Sequence, residues 1–299
     1  MSNSNSRSAY LQLHTAVFLF GFTGVLGEII SLDATMLVWH RMWMTAIMMF
    51  VYVWFIKKWK VLGAVETLKI AGVSLAIVIH WILFYASIKL ASVSVAMICL
   101  SSITLFTALL EPIILKKPFS TIELLFSILV IIGVYFMADD QKHQIVGILV
   151  GLASAFFSAL FTVLNKQLVD KYDSRLLSLY ELSAGFLLLT LLLPVTSFFI
   201  PVTSYLPTSN DWVYLFLLSF FCTVVAFNLS LSSLRFLSPF TVNLAINLEP
   251  VYGIALAFVL LKEYRELGSG FYIGAFFILS AVLAEILWKN HQKRALRNT

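Results

Sequence analysis

A carboxylate and a proline stand side by side in the middle of an apolar run. Glu249-Pro250 interrupts the stretch from Ser238 to Lys262, which is otherwise apolar and long enough to cross a bilayer. A charge at bilayer depth costs about 2.5–3.5 kcal/mol on insertion scales, so one that persists usually faces a cavity or a partner. Pro250 has no backbone N–H and leaves the carbonyl of Ile246 without its helical partner. Asn243 and Asn247 lie one i,i+4 step apart ahead of Glu249, and Tyr252 follows it by three residues, so part of this set shares one polar face. A carboxyl group that alternates between water and a low-dielectric site can exchange a proton, or can hold a substrate ammonium group. The competing reading is a kinked helix whose polar atoms are satisfied by its neighbours.

Other polar groups fall at similar depth. His80-Trp81 precedes Phe84-Tyr85 in one apolar segment. Histidine titrates across neutral pH, which makes His80 a second proton candidate, or else the partner in a helix–helix hydrogen bond. Trp81 and Tyr85, at i,i+4, line one wall of an aromatic cavity or face lipid. Asn228 lies in a later segment, while Ser101 and Thr104 supply hydroxyls at the depth of Glu249. Asn165 reads as a helix cap. Gly21, Gly24 and Gly27 recur at i,i+3, which suits close helix–helix approach. Two opposite-charge pairs, Glu28 with Arg41 and Lys166 with Glu181, are expected to tie helical hairpins together. Removing one partner of such a buried pair costs about 3–5 kcal/mol. Arg41 has a functional alternative, binding a substrate carboxylate.

The elements that must position these residues follow from hydropathy. Of 299 residues, 61% are hydrophobic and only 12% charged, and the mean hydropathy is +0.95. Soluble domains carry about 25% charged residues, so the chain is an all-α integral membrane protein. Ten apolar segments are each long enough to span as a helix, at 10–30, 36–56, 67–88, 92–115, 121–138, 145–167, 176–198, 212–233, 239–261 and 268–288. Residues 1–9 read as a disordered tail and 289–299 as a basic one. With the N-terminus inside, fifteen Lys and Arg fall on the cytoplasmic side and four outside, leaving Arg41 within a span. Both termini are therefore expected in the cytoplasm, with the chain in the cell (inner) membrane. The net charge of +5 belongs to this asymmetry and gives no reason to expect nucleic acid. Cys99 and Cys222 both lie in apolar spans without metal-site spacing, so neither a metal nor a cofactor is expected.

The sequence also repeats. Ala86-Ser-Ile-Lys-Leu-Ala-Ser92 is echoed by Ser232-Ser-Leu-Arg-Phe-Leu-Ser238, an offset of 146 that also places Lys116 on Lys262. Residues 10–140 and 141–288 thus form two halves of five spans. An odd number of spans per half gives them opposite orientations, the pattern of alternating-access transporters with a midplane site. At this offset Glu249 falls on Ile103 and Pro250 on Thr104, so Glu111-Pro112 is not the symmetry mate of Glu249-Pro250. Glu111 sits near a span end, within reach of Lys116 and Lys117.

Ten spans in two inverted halves resemble the drug/metabolite transporter superfamily, specifically its EamA-type branch. Leu83-Phe-Tyr-Ala-Ser-Ile-Lys-Leu-Ala-Ser92, Leu231-Ser-Ser-Leu-Arg-Phe-Leu-Ser-Pro239, Asn247-Leu-Glu-Pro250 and Leu260-Leu-Lys-Glu263 carry the resemblance. The first half departs from the family pattern, with Lys116-Lys-Pro118 where Gly-Glu is common and Thr104 where Pro is common. The resemblance implies a central cavity lined by the first, third, fourth, sixth, eighth and ninth helices. It also implies export or import of small metabolites, amino acids among them. The resulting expectation is a secondary transporter, an exporter of an amino acid or amine, coupled to protons through Glu249. It would act as a monomer or homodimer in the lipid bilayer. The alternatives are an intramembrane enzyme or a non-transporting receptor or assembly protein. No Gly-x-Ser-x-Gly elbow, His-Glu-x-x-His or P-loop is present.

Overall fold

The computed structural model describes residues 3–140, 144–199 and 202–295, and among these every regular element is helical. The first half comprises α1 (Asn3–Phe20), α2 (Phe22–Ile29), α3 (Ala34–Phe55), α4 (Ala64–Leu90), α5 (Val93–Leu100), α6 (Ile103–Leu115) and α7 (Thr121–Asp140). The second comprises α8 (Ile145–Val169), α9 (Ser174–Phe199), α10 (Ser209–Ser219), a π-helical turn at Phe220–Val225, α11 (Ala226–Leu234), α12 (Pro239–Ile246), α13 (Glu249–Leu260), a 3₁₀ turn at Glu263–Arg265 and α14 (Ser269–Ala295). Eight helical stretches are long and apolar enough to cross a membrane; α7 and α14 contain the shorter apolar stretches Leu124–Met137 and Ser269–Ala281. The protein is a multi-pass membrane protein.

Several of the long stretches are interrupted, and two interruptions obey the repeat. The α5–α6 junction falls at Ser101-Ser102 and the α12–α13 junction at Asn247-Leu248, each residue 146 beyond its mate. In the second half Pro250 removes a ladder donor, and the turn tightens so that the Leu248 N–H donates to the Ala245 carbonyl at 3.0 Å. The first half lacks that proline. There Ser101 and Thr104 turn their hydroxyls onto the carbonyls of Met97 and Ser101 at 3.5 and 3.4 Å, the competition with the ladder that hydroxyl side chains offer. Ser92 and Ser238, again 146 apart, accept from the backbone N–H of Val95 and Thr241 as N-caps of α5 and α12. Lys116 and Lys262 end α6 and α13 in the left-handed region, with φ of 53° and 60°.

The two halves also cap one another. Glu263 accepts from the backbone N–H groups of Val93 and Ser94, both at 2.9 Å, and so closes the N-terminus of α5. Glu111 accepts from Phe240 N–H at 2.9 Å and closes α12. The repeat mate of Glu263 is Lys117, and Lys117 donates to Glu111 at 2.7 Å. The Lys-Lys departure from the family pattern is thus balanced by a carboxylate borrowed from six residues earlier.

α7 and α14 lie side by side, and Gly133 and Gly274 pack so closely that a Cβ on either would strike the other's carbonyl oxygen. Their apolar residues form a separate cluster with Val95, Ile98 and Cys99 of α5 and Ile148 of α8. This pair buttresses the bundle from outside. The main core joins α1 to α5 with α8 to α13 around the axis.

Candidate functional site

The cavity at the heart of the bundle lies where the two halves meet. Its empty space is about 690 Å³ with open solvent at its mouth included, of which water-molecule centres can reach about 70 Å³. Repeat mates face each other across it: Leu100 and Ile246, Phe84 and Ser230, and Trp81 and Phe227, whose ring centroids lie 6.3 Å apart. Each of these pairs is separated by 146 residues, so the cavity sits on the pseudo-symmetry axis. The lining comes from the first, third, fourth, sixth, eighth and ninth spans, with Arg41 added from the second.

Onto this near-symmetric wall three groups are placed without symmetry. Glu249 begins α13 directly after the break, where its side chain enters the cavity with Oε1 3.2 Å from Thr23 Oγ1, whose hydroxyl also lies 2.6 Å from the Phe20 carbonyl. His80, on the unbroken α4, places Nδ1 3.0 Å from the Ser154 carbonyl. A carbonyl only accepts, so Nδ1 donates to it, with the Ser154 hydroxyl 2.9 Å from the same nitrogen. The Ser154 hydroxyl also donates to the His80 carbonyl at 3.0 Å, which fixes α4 against α8. The third group is Arg41, 2% exposed. Its Nε donates to Thr223 Oγ1 at 2.8 Å, its Nη1 to Tyr85 Oη at 2.8 Å and its Nη2 to the Cys222 carbonyl at 3.4 Å. Trp81 stacks on the guanidinium with 3.9 Å from Cζ to the ring centroid. No ion pair involving Arg41 forms among the described residues.

The remaining expected residues divide. Tyr85 is fully buried behind Arg41 and supports it. Asn243 and Asn247 form a polar seam beside the cavity, donating to Thr107 at 2.7 Å and to Thr104 at 3.3 Å across the α12–α6 contact. Ser101 is spent on the helix break. Two residues lie elsewhere. Asn228 donates to Met49 Sδ at 3.1 Å and the Val224 carbonyl at 3.3 Å, away from the axis; the cavity position belongs to its neighbour Phe227. Tyr252 is half-exposed on the flank of the bundle against Phe18, because three residues beyond Glu249 lies about 60° round the helix.

Both expected charge pairs are replaced. Glu28 pairs with Lys89 at 3.5 Å, and Lys89 also donates to the carbonyls of Glu28 and Ile30 at 2.8 and 3.0 Å. The reason is reach: Arg41 turns inward to the polar π-turn, whereas the exposed end of α4 brings a cation to α2. At the opposite end Lys166 donates to the carbonyls of Leu234 and Arg235 at 2.9 and 3.2 Å and pairs with Asp170 at 3.7 Å. Glu181 lies deeper, fully buried on α9 beside Asn165. Asn165, expected as a helix cap, lines the cavity instead, five residues before the Asp170 that ends α8; Thr23, Ser158 and Thr162 line it too, hydroxyl groups that sequence periodicity alone did not single out.

The sequence matches the family model of the EamA-like transporter family twice, over residues 7–138 and 145–285. The chain belongs to the EamA-like transporter family. That family is part of the drug/metabolite transporter superfamily, and both matched blocks contribute to the cavity wall. No curated protein matches the sequence. One solved crystal structure shares the fold with a TM-score of 0.68 and 13% identity, covering 92% of this chain and 96% of its own. At that identity the likeness is one of fold.

Proposed function

We propose that this EamA-like protein is a secondary transporter of a small polar metabolite, an amino acid or amine, working by alternating access. Glu249 carries a proton or the substrate's ammonium group. The observation that carries this reading is the placement of Glu249: a carboxylate at a helix break, on the axis between inverted halves, held by one hydroxyl from Thr23 of the opposite half. Intramembrane ionisable groups in such cavities mark substrate and proton paths, and carboxylates are able proton carriers. All ten long helical segments cross the bilayer in this reading, with both termini cytoplasmic, in the cell membrane. The basic ends of the helices set that orientation. Export is the direction of this reading.

Ligand-dependent thermal stabilisation in detergent, across a panel of amino acids and amines, tests the reading. A hit that Glu249→Ala abolishes supports it; a panel without any stabilising member contradicts it.

A further inference from the structure

We propose that Arg41 is the carboxylate subsite of this cavity, so that the transported solute bears a carboxylate as well as an amine. The inference rests on the transporter reading and narrows its substrate class from amines in general to zwitterions. Arginine stays charged in any protein environment, so a buried guanidinium held only by neutral partners keeps its capacity to pair with an anion. Arg41 is 2% exposed and lines the cavity, and among the described residues no carboxylate pairs with it.

The way it is held leaves a defined part of it unused. A guanidinium has five N–H donors in a planar fork. Nε and Nη2 donate to Thr223 and Cys222, adjacent residues of the π-helical turn, so the side edge of the fork is occupied from one direction. Nη1 spends one hydrogen on Tyr85. One N–H remains on each terminal nitrogen, donors that a carboxylate in the cavity can accept. Trp81 covers one face and fixes the plane.

The scaffold around Arg41 is also built for this position. Phe220–Val225 is the one π-helical segment among the described residues, a feature that recurs at functional sites. There Thr223 Oγ1 donates to the Leu218 carbonyl at 3.0 Å while accepting from Arg41. The Thr45 hydroxyl, at 2.6 Å, takes up the Arg41 carbonyl one turn on. These neutral partners position the guanidinium without neutralising it. Glu249 supplies the opposite charge in the same cavity, which matches one solute carrying both signs.

Thermal stabilisation of the purified full chain by matched triads tests the assignment. Each triad is an amino acid, the amine left by removing its carboxylate, and the acid left by removing its amine; leucine, 3-methylbutylamine and 4-methylpentanoate form one, and the panel covers the other neutral amino acids. For at least one triad the zwitterion is expected to stabilise the wild-type protein at tenfold or more lower concentration than its amine. Arg41→Lys, which keeps the charge and loses the fork, is expected to remove that advantage while the amine still binds. A zwitterion and amine that stabilise equally, or an Arg41→Lys that preserves the advantage, overturns the carboxylate subsite and leaves the transporter reading standing. Loss of all ligand response in the wild-type protein overturns both. The wild-type comparison alone decides the question if Arg41→Lys does not fold.

Discussion

Thr23 and Glu249 join the two halves of the protein at the centre of the bundle, hydroxyl to carboxylate at 3.2 Å. Thr23 belongs to α2, directly after the break at Gly21, and Glu249 begins α13, directly after the break at Asn247-Leu248. Gly21 packs under Tyr252 so closely that a Cβ there would strike the tyrosine's own Cβ. Two helix breaks therefore meet at one hydrogen bond, and any motion that separates the halves on that side changes it.

Thr23→Val keeps the shape and removes the donor. The exchange is expected to lower transport several-fold and to cost about 1–3 kcal/mol, the range for leaving a buried acceptor unmet. Thr23→Ser restores both. Rates in proteoliposomes and unfolding midpoints check the prediction, and an unchanged Thr23→Val rate contradicts it.

The carboxylate caps give a prediction about stability alone. Glu263→Ala strands two backbone N–H groups at the start of α5 and is expected to destabilise by about 1–3 kcal/mol. Glu266→Ala, three residues on at an exposed position, serves as the control and is expected to change little. Equal midpoints for the two variants would show that Glu263 does not hold the helix.

The ion pair at the end of α2 predicts which charge reversal succeeds. Glu28→Lys with Lys89→Glu restores an attractive pair at a partly exposed site, worth at most about 1 kcal/mol, but not the two carbonyl bonds of Lys89, so its rescue is expected to be partial. Glu28→Arg with Arg41→Glu restores nothing, since Arg41 lies among Thr223, Tyr85 and Trp81. Midpoints of the single and double variants distinguish the two schemes.

His80 yields a graded prediction. Its Nδ1–H and the Ser154 hydroxyl tie α4 to α8, so the ring is both a wall of the cavity and a strut. His80→Leu is expected to cost about 1–3 kcal/mol through the stranded Ser154 groups, whereas His80→Asn, which keeps a donor near Nδ1, recovers much of it. If His80→Asn also transports with a wild-type pH profile, His80 is a strut and carries no proton.

Much of this architecture is legible in the residues. Hydropathy marks the long apolar helices, and Pro250 marks the break at Asn247-Leu248; its mate at Ser101-Ser102, 146 residues earlier, carries no proline and is not expected from the sequence. Glu249, His80 and Trp81 line the cavity, where the sequence leaves lipid-facing or structural alternatives open. What sequence cannot convey is the rotation of each helix about its own axis. The π-turn at Phe220–Val225 is an ordinary apolar hexapeptide by composition, yet it turns Phe227 to the cavity and Asn228 away. Arg41 and Glu28 sit at a plausible hairpin spacing, but inward rotation gives Arg41 to the π-turn and leaves Glu28 to Lys89. Thr23, within a stripe of glycines, carries no signal of its own until Glu249 is placed beside it.

The role of Glu249 is tested most directly by accumulation of a labelled solute in proteoliposomes under an imposed pH gradient, comparing wild type with Glu249→Gln over a range of pH. The solute is one that stabilises the purified protein. Arg41 and His80 are the other charged or titratable groups that line the cavity with Glu249, beside the neutral polar groups of Thr23, Ser158, Thr162, Asn165 and Ser230, and all remain in the variant. The account predicts gradient-driven accumulation in the wild type and none in Glu249→Gln. Equal accumulation by both proteins at every pH contradicts it.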